Sequence, residues 1–323
     1  MTTTTDSGGL SEAREGDVET RAGYVTLVGR PNAGKSTLLN RLIGEHLSIV
    51  TAKAQTTWQR VTGILTEGSD QLIFLDTPGL LEAKDLLQRA MLGAALEALA
   101  EADVILLVID STRPPKPTET ARFVEPLADS RAPLHIALNK IDEASAGRLE
   151  VWDQWLGQVG QALEGTVYHI SAADGTGVAE LLEGVRSDLP ASPFLYPADE
   201  IASDPVRFFV AELVRETIFE LYHQEIPYST FCHVEDFREG ESPIYIHMDV
   251  FVERKSQKGI LIGKKGAAIR ELGERSRKKI EHFLGEHVYL DLWVKPLKAW
   301  RKNRAYLGQL GFRLPEDDER PTS

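Results

Sequence analysis

The chain has 323 residues, 42% of them hydrophobic and 26% charged, a balance that is ordinary for a globular protein with room for two domains. No apolar run approaches the ~18 residues of a membrane helix, and the N-terminus lacks a basic-then-apolar targeting pattern. The single cysteine, Cys232, allows no internal disulfide, and the eight histidines lack the paired spacing of a His/Cys metal site. We therefore expect a cytoplasmic protein.

The net charge of −13 argues against a nucleic-acid partner for the chain as a whole, but the charge is unevenly distributed. Between Arg254 and Arg304 there are 15 Lys and Arg against 5 Asp and Glu, a local charge of +10 that leaves −23 on the remaining residues. Such asymmetry indicates a polyanionic partner for one segment, and a solvated helical face is the alternative.

In chain order, residues 1–21 are rich in Thr, Ser, Gly and Glu, which predicts a disordered tail. Strand and helix patterns then alternate from residue 22 to 188. Strands are predicted at 24–28, 60–66, 71–76, 103–110, 134–139 and 166–171. Helices are predicted near 36–43, 86–101, 117–129, 147–164 and 177–188. This alternation is typical of an α/β domain with a mostly parallel sheet flanked by helices.

Residues 189–205 contain four prolines among small and acidic residues, which predicts an extended interdomain linker. A second domain, α+β in class, is predicted over residues 206–298. Its elements are a helix at 206–222, strands at 229–237 and 244–253, helices at 255–262 and 267–284, and a strand at 287–294. Residues 299–323 are expected to form a basic helix, near 297–309, and an acidic tail.

The segment between the first strand and helix fits the pattern G-x-x-x-x-G-K-S; it reads Gly29-Arg30-Pro31-Asn32-Ala33-Gly34-Lys35-Ser36. Glycines let successive backbone N–H groups converge on phosphate oxygens, and the start of the next helix, continuing to Thr37, adds partial positive charge. We expect Lys35 to reach the β- and γ-phosphates and the Ser36 hydroxyl to ligate Mg²⁺.

Three further motifs follow predicted strands at the edge where open α/β sheets bind ligands. Asp76-Thr77-Pro78-Gly79 fits D-x-x-G: Asp76 would hold a Mg²⁺ water, and the Gly79 N–H would meet the γ-phosphate. In Asn139-Lys140-Ile141-Asp142, the Asp142 carboxylate matches the two N–H donors on guanine, Lys140 can cover the base and Asn139 can brace the loops. Ser171-Ala172-Ala173 would offer a backbone N–H to guanine O6.

Together these motifs resemble the P-loop GTPases of the translation-factor class over residues 22–188. The resemblance implies hydrolysis of GTP to GDP and phosphate. It implies catalytic roles for Lys35, Thr57, Asp76 and Gly79. In a first switch at residues 48–58, one threonine would sense the γ-phosphate and ligate Mg²⁺; Thr57 is favoured, and Thr56 is the alternative.

Position 80, directly after D-x-x-G, is leucine, whereas many GTPases place a water-orienting glutamine there. Leu80 cannot hydrogen-bond to water, so we expect slow intrinsic turnover that another component stimulates. In related GTPases an asparagine at the position of Asn32 can help to hold a potassium ion. Asn32 is expected either to do this or to brace the loop.

The second domain carries a Gly263-Lys264-Lys265-Gly266 turn between two helices. Its glycines would let a nucleic-acid backbone approach, and its lysines would supply charge for phosphates. The following helix is expected to bury Ile269, Leu272, Ile280 and Phe283 and to expose Arg270, Arg275, Arg277, Lys278 and Lys279. The candidate RNA contacts are Lys255, Lys258, Ile262, Gly263, Lys264, Lys265, Gly266 and Arg270. Trp300, Arg301, Lys302 and Arg304 either extend this RNA track or, for Trp300, serve packing.

This domain resembles a type II KH domain. A GTPase domain joined to one C-terminal KH domain is similar to the bacterial Era family, as are Gln55-Thr56-Thr57 and Leu292-Trp293-Val294-Lys295. Trp58, where a basic residue is expected, and the long N-terminal tail depart from that pattern.

The resemblance implies a monomeric GTP switch that binds small-subunit ribosomal RNA near its 3′ end, assists assembly of the 30S subunit and contacts the inner membrane peripherally. The alternatives are an RNA chaperone with a structural nucleotide and a membrane-associated regulatory GTPase whose basic domain binds lipid. The intact phosphate and Mg²⁺ residues argue against the first alternative, and the glycine turn argues against the second.

Overall fold

The computed structural model describes residues 19–51, 53–80, 83–115, 127 and 130–314, apart from the side chains of residues 159–163. Most of the predicted N-terminal tail, residue 52 of the first switch, nearly all of the predicted helix at 117–129 and the acidic end of the chain lie outside the described residues.

The first domain is built on a six-stranded sheet whose order is β2-β3-β1-β4-β5-β6. The strands are β1 (Arg21–Gly29), β2 (Val61–Glu67), β3 (Asp70–Asp76), β4 (Val104–Asp110), β5 (Leu134–Asn139) and β6 (Thr166–His169). Only the β2–β3 pair is antiparallel among these neighbours. The predicted α/β fold with a mostly parallel sheet is therefore confirmed.

Helices cover both faces of this sheet. They are α1 (Lys35–Ile43), α2 (Leu86–Ala100), α3 (Ala146–Leu163) and α4 (Val178–Ser187). Alternate residues of β4 point to opposite faces: Leu106 packs in the cluster that contains α1 and α4, whereas Leu107 packs with Leu99 of α2 and Trp152 of α3. A strand that is buried on both faces accounts for the unbroken apolar run of β4.

Residues 189–205 run in extended form along the first domain. The Gln71 side chain accepts hydrogen bonds from the backbone N–H of Leu195 at 2.8 Å and Tyr196 at 3.0 Å. The Asp204 carboxylate accepts one from the Thr62 N–H at 3.0 Å. The segment is thus attached to β2 and β3 of the first domain.

The second domain packs helices on one face of a three-stranded sheet of order β7-β8-β9. Its elements are α5 (Val206–Leu221), α6 (Ile226–Ser229), β7 (Thr230–Arg238), β8 (Ile244–Val252), α7 (Lys255–Ile262), α8 (Ala267–Leu284) and β9 (Val288–Pro296). β8 is antiparallel to β7 and parallel to β9. Leu272 and Ile280 of α8 are buried against Ile246 and Met248 of β8. One-turn α6 is absent from the sequence prediction because four residues show no helical period.

The prediction of a single helix near 297–309 was wrong. The chain forms a 3₁₀ turn at Trp300–Lys302 and then α9 (Arg304–Gln309), because Ala299 is left-handed (φ 53°) and Asn303 is extended. Trp300 is fully buried and donates its indole N–H to the Ser229 carbonyl at 3.1 Å, so it packs and is inaccessible to RNA.

Trp300 belongs to a buried apolar cluster that joins the two domains. Its members are Trp58, Leu87, Ala90, Met91, Trp300, Leu307 and Phe312. The Trp58 and Trp300 ring centroids lie 5.7 Å apart. The unexpected tryptophan at position 58 therefore fills the joint between the domains. Within the described part of the chain, no helix has the length and apolarity to cross a bilayer.

Candidate nucleotide site and RNA groove

The phosphate loop connects β1 to α1, and its glycines are required by close contacts. At Gly29 (φ 149°) a Cβ would lie 2.3 Å from the Val108 carbonyl oxygen, and at Gly34 (φ 99°) one would lie 2.1 Å from Asn139 Nδ2. Lys35 Nζ lies 3.3 Å from the Gly29 carbonyl oxygen and 3.2 Å from that of Arg30. Burial lowers the pKa of Lys35, and the Asp76 charge opposes that shift.

Three oxygen-bearing side chains that are distant in sequence meet beside this loop. Ser36 Oγ donates to Asp76 Oδ2 at 2.7 Å, Thr57 Oγ1 lies 3.3 Å from the same oxygen, and the two hydroxyls are 3.2 Å apart. Asp76 Oδ1 is buried and accepts no hydrogen bond from the described residues. A hard cation prefers such oxygens, so this set fits Mg²⁺ with Asp76 acting directly or through water.

Burial raises the pKa of Asp76, whereas the Lys35 charge and the hydrogen bonds from Ser36 and Thr57 favour its ionised form. The backbone carbonyl of the neighbouring Thr56 accepts a hydrogen bond from the Arg215 guanidinium. Among the described contacts, the threonine hydroxyl that reaches Asp76 is that of Thr57.

The D-x-x-G segment crosses directly under the phosphate loop. Thr77 Oγ1 donates to the Leu27 carbonyl at 2.7 Å, and the Leu80 N–H donates to the Gly29 carbonyl at 3.3 Å. A Cβ at Gly79 would lie 2.7 Å from Pro31, so only glycine fits against the loop. Pro78 is buried, and Leu80 is 9% exposed.

Asn139 ties the phosphate loop to the segment at 171–173. Its Nδ2 donates to the Ala33 carbonyl at 2.8 Å, and its Oδ1 accepts from the Ala172 N–H at 2.9 Å. Ser171 is fully buried next to this contact, and the Ile141 N–H donates to the Ile170 carbonyl at 3.3 Å. The two loops are therefore fixed relative to each other by one buried side chain.

A cavity of about 510 Å³ opens between these segments. Its lining residues include Pro31, Asn32, Gly34, Lys35, Ser36, Thr37, Thr57, Gly79 and Lys140. Asn32 is left-handed (φ 64°) on the cavity wall. Asp142 is exposed beside Glu143, which also lines the cavity. The structure thus brings much of the phosphate loop together with Thr57, Gly79 and Lys140 around one space, whereas Asp142 and residues 171–173 are not among its lining residues. A cavity of this size suits a nucleoside triphosphate.

Sequence reasoning missed four residues near this cavity. Arg41 of α1 donates from Nε to the Ala172 carbonyl at 3.2 Å and from its guanidinium to that of Ala173. Asp110, Thr112 and Arg113 line the cavity, and Lys140 Nζ donates to Asp110 Oδ2 at 2.9 Å. Burial acts to raise the pKa of Asp110, but hydrogen bonds from Thr112 and Lys140 hold it below its usual value. The position of Asp110 at the end of a buried strand could have indicated it.

The first-switch segment is attached to α5 of the second domain. The Arg215 side chain is only 2% exposed, pairs with Glu212 at 2.6 Å and stacks on Trp58 with its guanidinium carbon 4.7 Å from the ring centroid. Glu216 Oε1 accepts from the Val50 N–H at 3.2 Å and lies 3.0 Å from His46 Nε2. The position of Arg215 in the middle of a largely apolar helix was the available sequence signal.

The Gly263–Gly266 turn projects from the second domain with both lysines exposed. Lys265 is left-handed (φ 53°), and Arg270 folds back so that its guanidinium donates to the Lys265 carbonyl at 3.0 Å. Lys255 is exposed, whereas Lys258 and Ile262 are half-buried. Arg270 therefore holds the turn in place and also contributes positive charge to it.

A groove of about 390 Å³ adjoins this turn between α8 and β9. It is lined by Ile269, Arg270, Gly273, Glu274, Arg277, Val288, Tyr289, Leu290 and Leu292.

The prediction that Lys279 is exposed was wrong: this lysine is half-buried because it pairs with Glu216 at 2.7 Å and Glu220 at 2.6 Å.

Comparisons with known proteins agree with this architecture. A family model described as 50S ribosome-binding GTPase matches residues 24–140, and one described as KH domain matches residues 225–301. Proteins named GTPase Era from Carboxydothermus hydrogenoformans and Trichlorobacter lovleyi are 40% and 39% identical to this chain. Each alignment covers 90% of this chain and 98% of the relative.

Two solved structures are similar over most of the chain. A variant of Aquifex aeolicus Era bound to GDP.AlF4- has a TM-score of 0.86 at 37% identity, covering 91% of this chain and 100% of that chain. Era in complex with MgGDPNP and nucleotides 1506–1542 of 16S ribosomal RNA has the same TM-score, identity and coverage. The motifs, the two-domain fold and these relatives agree, and the chain belongs to the Era family of GTPases.

Proposed function

We propose that this GTPase binds small-subunit ribosomal RNA through its KH domain and assists assembly of the 30S subunit in the cytoplasm, as a monomer. The observation that carries the proposal is its similarity, over 91% of the chain, to Era in complex with MgGDPNP and 16S ribosomal RNA nucleotides. The 50S ribosome-binding description belongs to a match that ends at residue 140, before the KH domain. The relatives that span both domains therefore carry more weight for the partner.

In the nucleotide site, we assign the phosphates to the backbone amides of residues 29–36 with Lys35 and Thr37. Bound Mg²⁺ would neutralise phosphate charge, and Ser36, Thr57 and Asp76 would hold it. The Gly79 N–H would face the γ-phosphate. These assignments are supported by the hydroxyl and carboxylate oxygens that converge within 3.3 Å of one another.

For guanine selectivity, the assigned groups are the Asp142 carboxylate, Lys140 over the base and a backbone N–H from residues 171–173. The Asp142→Asn variant should lose guanine preference and gain affinity for xanthine nucleotides, because an amide donates where guanine also donates. Competition binding with GTP and XTP measures this exchange. Unchanged GTP preference in Asp142→Asn would remove the assignment.

Hydrolysis should be slow without an added component, because Leu80 offers water no hydrogen bond. We propose that RNA binding stimulates turnover and that Asn32, on the cavity wall, helps to hold a potassium ion. Phosphate release measured with and without 16S ribosomal RNA fragments, in sodium and in potassium, tests both statements. Equal rates in the two salts would remove the potassium role, and equal rates with and without RNA would remove the stimulation.

For RNA binding, the Gly263–Gly266 turn would hold the backbone and the α8–β9 groove would hold bases. Gly266 is left-handed (φ 75°), and a Cβ there meets no atom within 4 Å. Gly266→Asp should still fold, because aspartate tolerates the left-handed region better than most residues. It should place a negative charge against the RNA phosphates and weaken binding of the 16S 1506–1542 fragment by about 100-fold.

Gly266→Asn is the matched control, since asparagine tolerates the left-handed region and carries no charge. It should keep most of the RNA affinity, and both variants should bind GTP as the wild type does. If Gly266→Asp bound the fragment normally, the groove would lie elsewhere. Preferential binding of anionic vesicles over RNA would instead favour the membrane-associated alternative, including the peripheral membrane contact.

A further inference from the structure

The outer face of the KH sheet carries a row of aromatic side chains that extends beyond the proposed RNA groove. On this face Tyr245 of β8 is paired in register with Tyr289 of β9, and His247 with Asp291. Tyr289 and Trp293 are 58% and 54% exposed, respectively. Large exposed aromatic rings are uncommon outside binding surfaces, because burying them would stabilise the fold.

Neighbouring side chains hold these two rings in place. The Tyr245 and Tyr289 rings stack with centroids 5.8 Å apart and planes 12° apart, and the His247 and Trp293 centroids lie 5.4 Å apart. Asp291 Oδ2 accepts the Trp293 indole N–H at 2.9 Å and lies 3.2 Å from His247 Nδ1. The exposed rings are thus preorganised, which lowers the entropic cost of binding a flat ligand.

The row is continuous with the groove. Tyr289 lines the groove together with Leu290 and Leu292, and β9 is an edge strand of its sheet. Trp293 follows Tyr289 by four residues on the same face, a distance of ~13 Å along the strand. A strand of RNA that leaves the groove past Tyr289 therefore reaches Trp293 without turning away from the protein.

The charges near the row are already paired. Lys295 Nζ lies 2.6 Å from Asp249 Oδ2, and Arg238 lies 2.7 Å from Asp236. Such pairs leave little charge for a phosphate or for a basic peptide, whereas the exposed ring faces suit a neutral, planar ligand. The Arg238 guanidinium lies 4.7 Å from the Tyr245 ring centroid, so the Tyr245 ring already makes a cation–π contact within the protein.

We propose that Tyr289 and Trp293 form a stacking platform for bases of single-stranded RNA that extend beyond the groove. The proposal rests on the proposed RNA binding and adds a second subsite to it. Because ring faces accept every base, this subsite is tolerant of sequence. It adds affinity without adding to the salt dependence, which arises from phosphate contacts.

The test compares RNA probes of two lengths taken from 16S nucleotides 1506–1542. Overlapping segments of about four nucleotides fill a KH groove, and the best of them is then lengthened by three nucleotides at each end in turn. Lengthening at one end should tighten binding to the wild type by about tenfold and quench Trp293 fluorescence. Trp293→Ala should lose that gain and bind the short probe normally, as about tenfold per stacked base predicts.

Trp293→Phe is the conservative control: it keeps a ring face, so it should retain most of the gain. Ile201→Ala changes an exposed apolar residue beside β2 and should have no effect. The slope of affinity against salt should be equal for Trp293→Ala and the wild type.

The remaining outcomes distinguish a failure of the groove assignment from a failure of the stacking platform. If the wild type binds no short probe, the groove assignment fails and the platform fails with it. If the short probe binds but neither extension tightens binding, or if Trp293→Ala keeps the full gain, the platform alone is overturned. Trp293 quenching by an oligoarginine peptide, with no response to the longer RNA, would assign the face to a basic protein segment instead.

Discussion

The nucleotide site and the proposed RNA-binding turn at residues 263–266 place their key groups in opposite ways. Asp76, Asn139 and Lys35 are buried and fixed by hydrogen bonds, whereas Lys264 and Lys265 are exposed on a three-residue 3₁₀ turn. Phosphoryl transfer depends on the position of each oxygen in a low-dielectric pocket. RNA phosphates require accessible charge that can adjust. Removal of a single side chain should therefore have a steep effect at the first site and a gradual one at the second.

The largest effect is expected for Asn139→Ala, which removes two buried hydrogen bonds at once. The Ala33 carbonyl and the Ala172 N–H would each lose a partner, at about 1–3 kcal/mol apiece. We expect lower unfolding free energy and at least about 100-fold weaker GTP binding, measured by denaturation and calorimetry. Asn303→Ala, which removes an N-cap of α9, is the control and should cost about 1 kcal/mol with GTP affinity intact. Normal GTP affinity in Asn139→Ala would contradict the conclusion that the buried groups of the nucleotide site tolerate little change.

Arg215→Met tests the contact between the two sites. It breaks the pair with Glu212, the stacking on Trp58 and the hydrogen bond to the Thr56 carbonyl. Breaking such a buried pair should cost about 3 kcal/mol of unfolding free energy. We expect the wild type to bind the 16S fragment with different affinities in the GTP and GDP states and Arg215→Met to bind it equally in both, as titration measures. Arg215→Lys keeps the charge but loses the planar stack, so an intermediate loss is expected. Intact nucleotide dependence in Arg215→Met would place the coupling elsewhere.

Glu216 gives the same interface a dependence on acid. Burial by itself would raise its pKa, but hydrogen bonds and charge from His46 and Lys279 lower the pKa from 4.5 to about 2. Because the folded pKa lies below the unfolded one, its stabilisation is present above pH 4.5 and is lost as the pH falls towards 2. Between pH 6 and pH 3 the loss of unfolding free energy should be about 2 kcal/mol, since one pKa unit corresponds to about 1.4 kcal/mol.

The measurement is the unfolding free energy of wild type and Glu216→Gln between pH 6 and pH 3. The difference between the two should shrink as the pH falls. Glu220→Gln, which removes an exposed partner of Lys279, is the matched control and should change stability by less than about 1 kcal/mol. A constant difference across this range would exclude an ionised Glu216 at the interface.

The smallest effect is expected for Lys264→Ala at the RNA turn. Loss of one phosphate contact should weaken RNA binding modestly and lower the salt slope by about 1. Affinity for the 16S fragment at several salt concentrations measures this. Lys84→Ala, at an exposed lysine of the GTPase domain, should leave the slope unchanged. A large loss of RNA affinity in Lys264→Ala would show that the turn, like the nucleotide site, requires each charge in a fixed position.

The sequence by itself determined the elements and the family. Residues 29–36 form one contiguous glycine-containing motif, so a local pattern suffices to identify them. Buried strands such as β4 and β5 and the helix α8 follow from local periodicity, and the predicted fold class and family resemblance were confirmed. The turn at residues 263–266 was visible for the same reason, because its glycines and lysines are contiguous.

Only the tertiary structure decided which distant side chains meet. Arg215 reaches the Thr56 carbonyl across 159 positions, and Arg41 reaches that of Ala172 across 131. Trp58 and Trp300 find each other in the domain joint, and Lys279 turns from a predicted surface charge into a partner of Glu216. A local pattern records the preference of a residue for helix, strand or burial. The local pattern does not record which distant residue will lie beside a given side chain after folding, since that depends on how whole helices and strands pack.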